Sequence, residues 1–124
     1  MWHIVVVGLG GFLGAVARYA VSGWVYRLWG SLFPYGTLVV NLVGCFGLGF
    51  VLTLTEERFL MHPEWRSFLA IGVFGAFTTF STFSYETLVL LREGSFLAAL
   101  TNMGTSVLAG LLAVYLGMIF AKLI

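Results

Sequence analysis

From Leu28 to Thr55, and again from Gly94 to Ala121, the chain carries no charged residue. A helix needs about 20 mostly apolar residues to cross the hydrocarbon core of a bilayer. Each of these stretches is therefore long enough to hold a crossing. The charged residues of the whole chain are Arg18, Arg27, Glu56, Glu57, Arg58, Glu64, Arg66, Glu86, Arg92, Glu93 and Lys122, and most of them gather at 56–66 and 92–93. The gaps predict four spans, at about 3–26, 36–55, 67–91 and 95–122, with Arg18 inside the first and Glu86 near the end of the third. The second begins after the turn signal Phe33-Pro34-Tyr35-Gly36, where proline is well tolerated at a helix start. The first span is read as retained: no basic segment precedes it, and Arg18 interrupts any cleavable leader.

The fold class expected is an all-α membrane protein, one four-helix transmembrane domain over 1–124. The composition agrees: 60% of the residues are hydrophobic and 9% charged, against about half and a quarter in a soluble domain. Disorder is excluded, since it needs low hydrophobicity and high net charge. A net charge of +1 provides no basic field for nucleic acid. The lone Cys45 excludes an internal disulfide and any Cys-rich zinc site. No nucleophile–base pair or cofactor motif points to an enzyme. Function must then lie in or across the bilayer.

Four spans place both termini and the 56–66 loop on one side, with Arg58, Arg66 and Lys122. Arg27 and Arg92 fall on the other, with Arg18 toward it. The Lys/Arg imbalance that fixes orientation is nearly absent. Two outcomes stay open: one orientation set by other means, or insertion both ways up and pairing as an antiparallel homodimer. A subunit this small has little interior to enclose a pathway, so oligomerisation is expected. Gly10 and Gly14, and Ala109, Ala113 and Gly117, stand at the small-residue spacing of close helix contacts.

The third span contains Gly75-Ala76-Phe77-Thr78-Thr79-Phe80-Ser81-Thr82-Phe83-Ser84-Tyr85-Glu86. Glycine followed by β-branched threonines weakens a helix. The sequence predicts a break near the middle of this span, resuming near Thr79; the alternative is an unbroken helix whose hydroxyls bond back to carbonyls. Breaks at membrane depth recur in transport proteins, where freed carbonyls hold cations. With the helix resumed, Phe80 and Phe83 share a face, Ser84 beside them and Ser81 and Thr82 at adjoining angles. Ring edges carry positive potential, so rings and hydroxyl donors together suit an anion. Asn41 in span two either donates to such an anion or bonds a neighbouring helix. Asn102, Thr105 and Ser106 form a polar patch in span four. Arg18 and Glu86, as intramembrane charges, read by default as functional. Arg18 either attracts anions, snorkels or pairs with Glu86.

Three motifs together resemble the bacterial fluoride-channel family called Fluc or CrcB. They are Gly10-Gly11-x-x-Gly14-Ala15-x-x-Arg18-Tyr19, Asn41-x-x-Gly44-x-Phe46-x-x-Gly49, and the run from Gly75 to Glu86. The last is the most specific, and the resemblance covers the whole chain. It implies a multi-pass protein of the bacterial inner membrane. It further implies an antiparallel, dual-topology homodimer with two fluoride pores, exporting fluoride passively and relieving its toxicity. Phe80 and Phe83 would be the pore phenylalanines and Asn41 the pore asparagine. Ser81, Thr82, Ser84, Asn102 and Ser106 would complete the polar lining, with Arg18 and Glu86 as vestibule or structural charges. A central structural sodium ion (Na+) would rest on backbone carbonyls of Gly75 and Thr78. The partners implied are fluoride, sodium, lipid and a second copy. Ala76 departs from the glycine common in the family, and Asn102 stands where an aromatic hydroxyl occurs in relatives. The alternative reading, a small multidrug-resistance-type proton-coupled exporter, wants an acid in span one, where this chain has only Arg18.

Overall fold

A computed structural model describes all residues from Met1 to Ile124. Helix α1 spans Trp2–Trp29. At about 1.5 Å per residue, its length exceeds the roughly 30 Å hydrocarbon core. It stops at Gly30, whose φ of 79° is open to glycine without strain and whose N–H bonds the Tyr26 carbonyl. Helix α2, Tyr35–Leu52, starts directly after Pro34 and runs on through a wide π-type turn, Thr53–Glu57. The third span is assembled from pieces: α3 (Pro63–Arg66), a π-type stretch (Ser67–Phe74), α4 (Gly75–Phe77) and α5 (Phe80–Arg92). Proline opens α3, and the His62 Nδ1 accepts from the Glu64 N–H to cap it. A turn through Gly94, φ 79°, leads to α6, Phe96–Leu123.

There are no strands, and four helical segments are long and apolar enough to cross a membrane: Trp2–Trp29, Tyr35–Glu57, Pro63–Arg92 and Phe96–Leu123. The first three extend past their sequence-predicted limits at both ends, and the fourth is displaced by one residue. Polar ends such as Arg27, Glu56 and Arg92 continue a helix without lowering its stability, whereas a hydropathy reading stops at the charge.

Small residues hold the spans together. A Cβ on Gly10 would run into the Phe68 carbonyl oxygen, and one on Gly14 into that of Val73. In α2 and α6, Gly49 meets the Val114 carbonyl and Gly117 that of Phe46. Of the residues read as a helix-contact signal, Gly10, Gly14 and Gly117 therefore serve contacts within one chain: α1 against the third span, and α2 against α6. Small residues are favoured here because lipid supplies no hydrophobic drive between helices, leaving close packing to do so. The outer surface is apolar, with side chains such as Phe12 and Leu108 exposed, as lipid requires.

Charges close one end of the bundle. Arg66 donates from Nε (3.0 Å) and Nη2 (2.7 Å) to Glu56 Oε1. Lys122 Nζ lies 3.4 Å from Glu57, and Arg58 Nη1 donates to the Lys122 carbonyl. These contacts put the 56–66 loop and the end of α6 on the same side, as four crossings require.

Candidate functional site

The middle of the third span is not helical at two residues. Thr78 (φ −83°, ψ 157°) and Thr79 (φ −150°, ψ 118°) are extended, and α5 begins at Phe80. Gly75 itself keeps helical angles, φ −61° and ψ −39°. The interruption thus falls on the β-branched pair rather than on the glycine, because Thr79 has a second role. Its Oγ1 accepts from the Thr82 N–H at 3.2 Å and caps α5.

Extended backbone in an apolar layer leaves peptide groups that lipid cannot satisfy. Asn41 resolves this for Thr79. The Thr79 N–H donates to Asn41 Oδ1 at 2.7 Å, and Asn41 Nδ2 donates to the Thr79 carbonyl at 3.1 Å. One side-chain amide thereby pairs both polar groups of one residue. Gly44, one turn further along α2, lets the Thr78 methyl approach where any Cβ would collide with it. Carbonyls on the upstream side are released as a result, those of Gly75 and Thr78 among them. In a continuous helix the Gly75 carbonyl would accept from the Thr79 N–H and that of Thr78 from the Thr82 N–H. The first of those donors goes to Asn41 and the second to the Thr79 hydroxyl.

On one side of the interruption lies a groove of about 280 Å³ lined by Asn41, Thr78, Thr79, Phe80, Phe83 and Ser106, among others. The Phe80 and Phe83 rings stand 5.8 Å apart, tilted by 44°. The Ser106 Oγ, buried, has no hydrogen-bond partner. A buried hydroxyl without a partner within its own chain is uncommon, and its bonding capacity stays open on the groove side. The groove contains no carboxylate.

On the other side of Thr79 lies a second depression, about 230 Å³, lined by Arg18, Ser22, Thr37, Thr79 and Thr82 with apolar neighbours. Arg18 forms no ion pair. The expected option of an Arg18–Glu86 pair is not what forms. Glu86 Oε2 accepts from the Tyr26 hydroxyl at 2.7 Å, and Oε1 accepts from the Thr37 hydroxyl. The Thr37 N–H in turn donates to the Tyr26 oxygen at 3.4 Å. Neutral donors from the facing ends of α1 and α2 thus satisfy the carboxylate, and Arg18 is left to its groove.

The candidate residues therefore divide. Asn41, Phe80, Phe83 and Ser106 share one groove, with Thr78 in its wall; Arg18 and Thr82 share the other. Ser81 and Ser84 are exposed and line neither. Asn102 is 2% exposed and donates from Nδ2 to Thr87 Oγ1 at 2.9 Å, between α5 and α6. Tyr26, Thr37 and Thr87 took no part in the sequence reading of the site, and Thr79 entered it only as the point where the helix resumes. The spacing Thr79-x-x-Thr82 was the available signal for the cap; the partners of Tyr26 and Thr87 have none, since they come from other helices.

Residues 5–118 match a protein family described as "CrcB-like protein, Camphor Resistance (CrcB)". The chain belongs to the CrcB-like family. It is 51% identical over 115 residues to a protein of Hydrogenovibrio crunogenus named "Fluoride-specific ion channel FluC", covering 93% of this chain and 87% of that one. A Methanosarcina acetivorans protein named "Fluoride-specific ion channel FluC 1" is 50% identical over 121 residues, covering 98% and 92%. A FluC of Geotalea daltonii is 44% identical over 124 residues, with both chains covered in full. These CrcB-like relatives are named as ion channels, and this chain, with four helices long and apolar enough to cross a membrane, is a multi-pass membrane protein.

Proposed function

We propose that this protein is a fluoride-selective channel that lets fluoride leave the cell passively and so relieves its toxicity. The observation that carries the reading is the groove at the helix interruption. Two phenyl rings and an unpartnered buried hydroxyl converge there, in a chain similar to proteins named as fluoride-specific channels. Fluoride is small and holds its water strongly. A path for it must replace those hydrogen bonds at close range without binding so tightly that the ion stays. Ser106 offers a hydroxyl, and ring edges of Phe80 and Phe83 offer diffuse positive potential. Larger halides would meet the rings before the donors. Arg18, unpaired in the neighbouring depression, would draw anions toward the bilayer interior.

The proposal includes an antiparallel, dual-topology homodimer with two pores. The even spread of Arg58, Arg66 and Lys122 against Arg18, Arg27 and Arg92 supports it, since neither orientation is favoured. The interruption in the third span supports a structural sodium ion at the dimer centre. Carbonyl oxygens suit a hard cation, and those of Gly75 and Thr78 have lost their helical donors. One chain supplies only one side of such a site; a second copy about a two-fold axis would double its carbonyls. When bound, sodium would supply a fixed positive charge at the interface between copies.

Liposomes containing the purified protein, followed with fluoride and chloride electrodes, test the function. Electrogenic loss of fluoride without chloride is expected. No fluoride loss from folded protein would end the reading and make proton-coupled cation export the next assay. For topology, reporters for each side of the membrane fused to the C-terminus should both give signal; signal from one side alone refutes dual insertion.

A further inference from the structure

We infer that Asn102 is a positioning residue for Phe83, acting through Thr87, and does not itself line the ion path; the flux arm of the argument rests on the channel reading above. Helix α5 starts at an interruption, so no continuous helical backbone upstream fixes its rotation about its own axis. It has 13 residues and must be oriented from the sides. At its N-terminus Asn41 holds Thr79. Toward α1 and α2, Glu86 is held by Tyr26 and Thr37. Toward α6, the single side-chain hydrogen bond is Asn102 Nδ2 to Thr87 Oγ1, at 2.9 Å.

That bond belongs to a directional chain. The Thr87 hydroxyl donates its one proton to the Phe83 carbonyl at 2.7 Å. Its oxygen is then free only to accept, and it accepts from Asn102. Hydrogen bonds in series polarise and strengthen one another in a low-dielectric interior. Both members are buried, Thr87 at 6% and Asn102 at 2% exposure, so water does not compete. Asn102 and Ser106 are one turn apart on α6 and present neighbouring parts of one face. The first locks the α5 turn that carries Phe83; the second faces the groove that Phe83 lines. Loss of the lock would remove the one side-chain hydrogen bond that sets α5 against α6, leaving its other anchors on α1 and α2 and letting the Phe83 ring shift relative to the Ser106 hydroxyl.

The test is a mutant cycle with two readouts. Thr87→Val, which keeps shape and loses the hydroxyl, Asn102→Ala and the double variant are compared with wild type and with Thr87→Ser. Fluoride efflux is measured per folded protein. In parallel, 4-fluorophenylalanine is placed at position 83 and its ¹⁹F resonance recorded in detergent. Each single variant should slow efflux at least fivefold, and the double variant should equal the slower single. Thr87→Ser should stay within twofold of wild type. The ¹⁹F resonance should shift alike in both singles and in the double. Efflux in the double equal to the product of the two single effects, wild-type efflux in the singles, or an unmoved ¹⁹F resonance would each overturn the inference. If Asn102→Ala is not recovered folded, Asn102→Ser, too short to reach Thr87, takes its place with the same expectations. Wild-type liposomes that release no fluoride would refute the channel reading alone, and the ¹⁹F cycle would then decide the role of Asn102 by itself.

Discussion

Replacing Asn41 with alanine removes both partners of Thr79 in one step. The Thr79 N–H loses its 2.7 Å bond and the Thr79 carbonyl its 3.1 Å bond. Thr79 is 9% exposed in the middle of a membrane span, so water reaches its groups only by way of the two grooves it lines. Two magnitudes bracket the cost. Side-chain hydrogen bonds between membrane helices average about 0.6 kcal/mol in double-mutant cycles, which sets a floor of roughly 1 kcal/mol for two. A buried polar group left unsatisfied costs about 1–3 kcal/mol, which sets a ceiling of roughly 6 kcal/mol for two. The floor applies where the unfolded reference or a rearrangement finds new partners. Here the orphaned groups are backbone, held extended between two helices, and the residue's own hydroxyl is already used on Thr82. A loss of at least about 2 kcal/mol is therefore expected. Equilibrium unfolding of the purified protein in mixed micelles by SDS titration measures it. Asn41→Asp should fall in between, because it keeps the acceptor for the N–H but sets an oxygen against the carbonyl. An Asn41→Ala variant within about 0.5 kcal/mol of wild type would show that the amide does not sustain the interruption, and the account of the released carbonyls would fall with it.

Other outcomes follow from the same geometry. Phe80→Ile or Phe83→Ile should cut fluoride efflux at least tenfold while leaving the size-exclusion profile unchanged, since both rings face an open groove rather than the packed interior; unchanged efflux in both variants would refute the ring mechanism. Gly14→Val should prevent recovery of folded protein, because its Cβ would collide with the Val73 carbonyl of the third span, a backbone atom that cannot swing away. Gly8→Ala, where a Cβ meets nothing within 4 Å, is the control and should express and migrate as wild type.

The number of spans and their order were legible because insertion is close to a one-dimensional problem: a charge-free stretch such as 94–121 partitions into lipid whatever its neighbours are. The irregularity of the third span was legible for a similar reason, since Thr78 and Thr79 disfavour helix through their own side chains. Phe80 and Phe83 on a shared face follow from helical spacing alone.

What only the tertiary structure decided is which polar group answers which. Glu86 is held by Tyr26 and Thr37, not by Arg18, because the facing ends of α1 and α2 bring two hydroxyls to it first. Gly10 and Gly14 point at the chain's own third span. Asn41 pairs with a residue 38 positions away, and Asn102 turns from the groove toward Thr87. A span's existence depends on its own transfer free energy, which sums along the sequence. A hydrogen bond inside the membrane depends on the rotation of two helices about their axes, which no single helix contains.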